Sequence, residues 1–440
     1  MAEEYIKKAL LLSRDIGHKL KEFQCFCSLS VLKVSKSHLE EASLYLFQSI
    51  VVFDTLRGSL KDNDQFQTSL LEEHGTFSYK LFSKLLSSSG KAEDALYVQE
   101  LRRARGLADM MAARYSVQEQ ISGNPQSWRG IQEIIKREAD CACLYISIII
   151  APVASLLKHP EIIIVPDSCT YQVPFAALAD EGGKYLSETC KIRMVSSLTT
   201  LKYVQNSPPD YHIQTGALIV GDPEVGAVIY KEKRRIITPL LCARKEAEMI
   251  GRLLGVTPLI GKSATKHAAL QAINSVSLIH IAAHGDAKRG EIALSPEHLT
   301  LLPPFPREED YLLTMADISK ARLRAKLVVL SCCHSARGQI RTEGVIGIAR
   351  AFVGSGARSV LAARWALDDT ATEQFMTCFY KHLLRGESAS ESLHMSRDWM
   401  RHNGFDKISQ WAPFMLMGDN VTFDFANWPV PNALQEAEAE

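Results

Sequence analysis

From Tyr5 to Tyr115 the apolar positions recur at spacings of two to four. Leu10, Leu12, Ile16 and Leu20 form one such series, and Leu39, Ala42, Leu46 and Ile50 another. One buried face of an α-helix requires that spacing, and the stretch contains no proline. It is therefore read as helical throughout. Lys8-Ala9-Leu10 returns as Glu41-Ala42-Ser43, 33 residues later, and Glu93-Asp94-Ala95-Leu96 approaches the pattern a third time. A period near 34 belongs to stacked helix–turn–helix units, whose small alanines allow close packing. An ordinary helical bundle gives the same periodicity without a repeat.

The texture changes after Tyr115. Ser116 to Ser127 is polar and includes Gly123, Asn124 and Pro125, the composition of a linker. Short apolar runs follow: Ile162–Val165, Gly216–Val220, Leu278–Ala282, Leu327–Leu330 and Ser359–Ala362. Each is apolar on both faces, which fits strands buried on both sides of a largely parallel sheet. Between them lie amphipathic segments such as Ala243–Leu254 and Gly344–Phe352, read as helices. Alternating strands and helices predict an α/β sandwich. The run Leu144–Leu157 is interrupted by Ser147, Pro152 and Ser155. It is shorter than the roughly 20 apolar residues of a spanning helix and reads as core.

Charge alters this picture little. Lysine plus arginine equals aspartate plus glutamate, 50 against 50, so no general attraction to nucleic acid or membrane is expected. No secretory signal is visible at the N-terminus, and reduced cytoplasmic thiols follow as the expectation. The ten cysteines form no C-x₂-C metal pair. No metal and no cofactor are expected.

Two of the expected strands end in chemically capable residues. Leu278–Ala283 delivers His284 and Gly285, and Leu327–Ser331 delivers Cys332 and Cys333. Ligands of open α/β sheets bind outside the carboxyl ends of the strands. Neighbouring strands would bring imidazole and thiol to one crevice, where the imidazole raises the thiolate fraction and later protonates a leaving amine. An acyl intermediate also needs amide donors for its oxyanion; the backbone N–H groups of Gly285 and Cys333 are the candidates. The interval of 49 residues from His284 to Cys333 is close to that of caspase-type peptidases. On the residues alone, a buried thiol and a hydrogen-bonded core histidine remain the alternative.

Several blocks carry a closer resemblance. Leu278–Asp286 (LIHIAAHGD), Leu327–Ser335 (LVVLSCCHS), Glu343–Arg350 (EGVIGIAR), Ala351–Thr372 and Trp411–Asp419 (WAPFMLMGD) follow one another in order, preceded by Val165–Leu178, Tyr185-Leu186 and Pro239–Ala247. Together they resemble the CHAT domain, the caspase-like domain associated with tetratricopeptide repeats and related to separases. The resemblance spans residues 130–425. It implies a helical, tetratricopeptide-like segment at 1–115, a linker at 116–129, a CHAT domain at 130–425 and a tail at 426–440. The domain would comprise a pseudo-caspase half at 130–235 and a catalytic half at 236–425, a caspase-like α/β sandwich with a mainly parallel sheet.

The resemblance also assigns roles. His284 becomes the base, Cys333 the nucleophile, and His280 and Cys332 core residues. Asp369 matches an acidic position with which separases hold a basic P1 side chain, while Asp368 reads as a helix cap. The family's Thr-Gly after the nucleophile is replaced by His334-Ser335-Ala336-Arg337, which puts that loop in question. The expected function is a cysteine endopeptidase whose helical repeats recruit a protein substrate or partner. The alternative is an inactive scaffold for protein–protein interaction, with a cell-division role. Lys231–Arg235 (KEKRR) reads as a solvated loop and Gly354-Ser355-Gly356 as a helix stop.

Overall fold

The computed structural model describes residues 1–59, 76–103, 105–116, 136–138, 140–146, 159–286, 290–297, 304–333, 335, 339–341 and 344–428. The first 116 residues form helices α1 (Ala2–Asp15), α2 (Lys19–Ser35), α3 (Leu39–Gly58), α4 (Thr76–Ser88), α5 (Ala92–Arg102) and α6 (Arg105–Tyr115). Three of the turns repeat one geometry. Gly17, Ser37 and Gly90 take left-handed φ of 69°, 60° and 77°. The next N–H reaches back five residues in each case: His18 to the Ser13 carbonyl at 2.8 Å, His38 to Lys33 at 2.9 Å, and Lys91 to Leu86 at 2.9 Å. A single left-handed residue thus ends the helix and reverses the chain. Such a stop leaves no trace in hydrophobic periodicity, so periodicity alone does not place the ends of the paired helices. Beyond Ser116, the expected linker lies outside the described residues up to 129.

A nine-stranded sheet forms the centre of the molecule. Its strands are β1 (Cys141–Ile146), β2 (Glu161–Pro166), β3 (Lys191–Met194), β4 (Ala217–Pro223), β5 (Leu259–Gly261), β6 (Leu278–Ala283), β7 (Leu327–Cys332), β8 (Ser359–Ala363) and β9 (Phe414–Gly418). Their spatial order is β1-β2-β3-β9-β8-β7-β6-β4-β5. All neighbours run parallel except β8 and β9. The sheet is therefore two parallel halves of opposite direction, joined at one antiparallel seam. All five strands expected from the sequence are present. The segment expected as a helix at Gly344–Phe352 is different: Gly344–Ile346 pairs with Gln339–Arg341 as a ribbon, and the helix spans Ile348–Gly354 after the extended Gly347. Gly356 follows the helix at φ +112°, where a Cβ would lie 2.3 Å from the Tyr211 hydroxyl and 2.4 Å from the Leu323 carbonyl. Only glycine fits that stop.

Strand β2 shows how the helices join the sheet. Ile162 and Ile164 point into one core together with Leu107, Met111 and Tyr115 of α6. Ile163 and Val165 point into a second core with Phe23, Phe53 and Tyr79. Alternation along one strand thus serves two layers, each fully buried aliphatic contributing about 1.5–3 kcal/mol. Buried polar contacts fix the junction. Arg102 meets Asp167 at 2.5 Å, and Arg103 donates to the Val165 and Pro166 carbonyls at 2.9 and 3.0 Å. Glu100 accepts the Leu198 and Thr199 amides at 3.1 and 3.0 Å. It thereby satisfies orphan donors at the start of the helix Leu198–Gln205. Among the described residues, no helix is long and apolar enough to cross a membrane.

Candidate active site

Strands β6 and β7 are parallel neighbours, with Ala283 paired to Cys332. Both partners are buried. The next residues, His284 and Cys333, leave the sheet together at its carboxyl rim, and both are half-buried. Because side chains alternate along an extended chain, the step that buries Cys332 turns Cys333 out of the core. The Cys332 thiol donates to the Ile281 carbonyl at 3.2 Å, and burial pushes its pKa well above the usual thiol value. A thiol so placed stays protonated and inert.

Gly285 follows the histidine for a steric reason. A Cβ there would lie 2.3 Å from the Cys333 carbonyl oxygen and 3.5 Å from Cys332 Cβ. The two chain segments touch at this point, and no side chain fits between them. Gly285 also faces Ile292 in an isolated bridge. That bridge is closed by its neighbours, Ala293 N–H to the His284 carbonyl at 2.9 Å and Asp286 N–H to the Glu291 carbonyl at 2.8 Å. The Gly285 amide itself takes no part in it.

The histidine's tautomer follows from its partner. Nε2 lies 2.8 Å from the Thr238 carbonyl oxygen. A carbonyl only accepts, so Nε2 carries the proton and Nδ1 of the neutral ring is the acceptor. Thr238 is held on both sides. Before it runs the ribbon Gly226–Tyr230 with Lys233–Ile237, tied to the histidine loop by the Tyr230 hydroxyl, which donates to Asp286 at 2.6 Å. After it, the buried Asp222 accepts the Leu240 amide at 2.6 Å and pairs with Arg244 at 3.0 Å, fixing the start of the helix Leu241–Leu254. Lys233–Arg235, read from the sequence as part of a loop, is therefore strand. Its pairing with the apolar Gly226–Tyr230 outweighs its charge.

On the thiol side, the Leu367 N–H points at Cys333 Sγ from 3.4 Å. Ser335, completely buried, braces the turn after the nucleophile candidate. Its hydroxyl donates to the Leu330 carbonyl at 2.9 Å and accepts the Ala363 N–H at 2.9 Å. The unusual residues after Cys333 thus include a stitch between β7 and β8. His334 lies outside the described residues. Asp368 accepts the Ala371 N–H at 2.9 Å and caps the helix Asp369–Leu384. Asp369 begins that helix, beyond the carboxyl end of β8 and so on the rim of Cys333; its side chain lies outside the described residues.

His280 lies in mid-strand, fully buried between Glu246 at 3.0 Å and the Tyr380 hydroxyl at 3.0 Å. It is a core residue, as the sequence implied. Sequence reasoning missed Thr238, Asp222 and Ser335. A carbonyl acceptor has no side-chain signature, but Gly221-Asp222-Pro223 directly after the expected run Gly216–Val220 was a visible signal for Asp222.

Comparison with known proteins adds a family. Tetratricopeptide repeat protein 28 of Mus musculus and that of Homo sapiens are each 29% identical over 316 residues, covering 63% of this chain and 13% of theirs. The chain thus spans about an eighth of the length of these curated relatives. Among solved structures, the Saccharomyces cerevisiae separase–securin complex matches at 12% identity and TM-score 0.43, over 88% of this chain and 28% of that one. The Arg specific cysteine proteinase gingipain R matches at 11% and 0.40, over 71% and 74%. The CHAT domain model matches residues 141–419, well over half of the chain. The chain belongs to the CHAT domain family.

Proposed function

We propose that this chain is a caspase-like cysteine endopeptidase with His284 as base and Cys333 as nucleophile. One observation supports the reading: the last registered pair of β6 and β7, Ala283 with Cys332, immediately precedes His284 and Cys333, and the Nε2 contact to Thr238 leaves Nδ1 of the neutral ring as its acceptor. The Cys333 thiol gives its proton to Nδ1 and the thiolate attacks the substrate carbonyl carbon. The resulting oxyanion is received by the Gly285 and Cys333 amides. The C–N bond breaks as the imidazolium protonates the leaving amine, and water then hydrolyses the thioester. Asp369 holds a basic P1 side chain by a charge-assisted contact. The helical layer recruits the protein that is cut.

The test is cleavage of a peptide library by wild type, Cys333→Ala, Cys332→Ala and Asp369→Asn. Cys333→Ala is inactive, Cys332→Ala keeps most activity, and Asp369→Asn loses its preference for arginine and lysine at P1. Equal loss from both cysteine variants sinks the assignment. A second reading, a partner-binding scaffold, is favoured by the apolar residues Tyr5 and Leu12 on α1 and Ile16 directly after it, exposed by 66, 61 and 66%. It replaces the first if wild type cleaves nothing in the library.

A further inference from the structure

The ribbon beside the candidate site has one satisfied edge and one without a strand partner among the described residues. Strand Gly226–Tyr230 is bound on its far side, with Ile229 N–H on the Pro306 carbonyl at 2.8 Å and the Tyr311 hydroxyl on the Ile229 carbonyl at 3.3 Å. Among the described residues, strand Lys233–Ile237 pairs only with Gly226–Tyr230. Its outer edge has no strand partner among the described residues. That edge is basic: Lys233, Arg234 and Arg235 are exposed and have no ionic partner among the described residues. Arg234 lies over the Phe305 ring at 4.6 Å and Arg235 over Tyr230 at 5.0 Å. These stacking contacts order the guanidinium groups of two exposed side chains.

Charged edges commonly prevent a strand from pairing with its own kind. Protection alone does not explain Ile236, which stands among these cations 69% exposed. Like charge repels a second copy of this edge but favours a chain carrying carboxylates. Strand alternation places Arg234 and Ile236 on one face and Lys233 and Arg235 on the other, so an extended chain meets cations on both faces and an apolar contact on one. We infer that the outer edge of Lys233–Ile237 docks an extended acidic segment of a partner protein as a third strand. This is strand addition, in which main-chain bonds give affinity and side chains give selectivity. The segment lies against the candidate site, because Thr238, which holds His284, is the next residue along the chain.

The experiment is fluorescence anisotropy of the full chain with a fluorescein-labelled Glu-Glu-Val-Glu-Glu-Val peptide. A second probe has the same sequence with alternate backbone amides N-methylated. Saturable binding of the first probe is expected, weakened at least about tenfold by Arg234→Glu with Arg235→Glu, and by added salt. The N-methylated probe, equal in charge but unable to complete the ladder, binds at least about tenfold more weakly. Arg234→Gln with Arg235→Gln gives an intermediate loss and serves as the control should the double reversal disturb folding. Absence of saturable binding, equal binding by the substituted proteins, or equal affinity of the N-methylated probe each overturns the inference.

Discussion

The two parallel halves of the sheet present their carboxyl ends to opposite rims, and the rims have different fates. At the β1-β2-β3 rim, Asp167 after β2 is engaged by Arg102 and Arg103. Ser197 after β3 caps the helix Leu198–Gln205, whose first amides are taken by Glu100. At the β6-β7 rim, the strands release half-buried His284 and Cys333. One fold rule places loops and helix starts at both rims. One rim is used to attach the helices, and the other carries the two residues proposed for chemistry. A difference in partners, rather than in strand architecture, separates the structural rim from the one proposed as reactive.

The largest effect that sharpens this contrast is on activity. Cys333→Ala or His284→Ala lowers peptide cleavage at least about a thousandfold, while the melting temperature of each variant stays near that of wild type. An unfolded variant would instead put the reactive rim in a structural role. At the other rim, Asp167→Ala leaves two buried guanidinium groups without their carboxylate and destabilises the fold by about 3–5 kcal/mol. Chemical denaturation measures this, and a change below about 1 kcal/mol contradicts the closed-rim account.

Acid should loosen the same junction. Burial, reinforced by the Arg358 charge, pulls the pKa of His212 from 6.5 down to about 4. Its Nε2 donates to the Gly356 carbonyl at 3.2 Å, and its ring lies beside Tyr115 and Tyr211. A histidine whose folded pKa is depressed contributes stability above pH 6.5 that is lost as pH falls toward 4, a term of about 3 kcal/mol at most. His212→Gln keeps a donor without a titrating ring, so denaturation midpoints between these pH values become flatter; an unchanged slope removes His212 from the junction. The smallest effect belongs to Ser335→Ala. It unpairs the Ala363 amide at a cost of about 1–3 kcal/mol, seen in the denaturation midpoint, and slows cleavage through the loosened turn.

Much of this was legible because it depends on apolar burial. The runs at 162–165, 278–282 and 327–330 are buried on both faces, and their short length and β-branched content favour strand over helix. His284 and Cys333 stood out because each directly follows such a run. The Gly344–Phe352 segment misled, since periodicity does not distinguish a ribbon of three residues that leads into a helix. The closed rim was illegible for a different reason. Arg102 and Asp167 are 65 residues apart, and charged residues at such separation read as solvated until the fold joins them. Thr238 acts through its backbone, which sequence does not mark.

The central claim is that the reactive rim activates Cys333 and leaves its neighbour inert. The direct measurement is the rate of iodoacetamide alkylation at each of the two adjacent cysteines below pH 7, read by mass spectrometry in wild type and His284→Ala. Rapid modification of Cys333 is expected, slowed by His284→Ala, with Cys332 unmodified in the folded protein. Slow modification of both, or a Cys333 rate indifferent to His284, would contradict it.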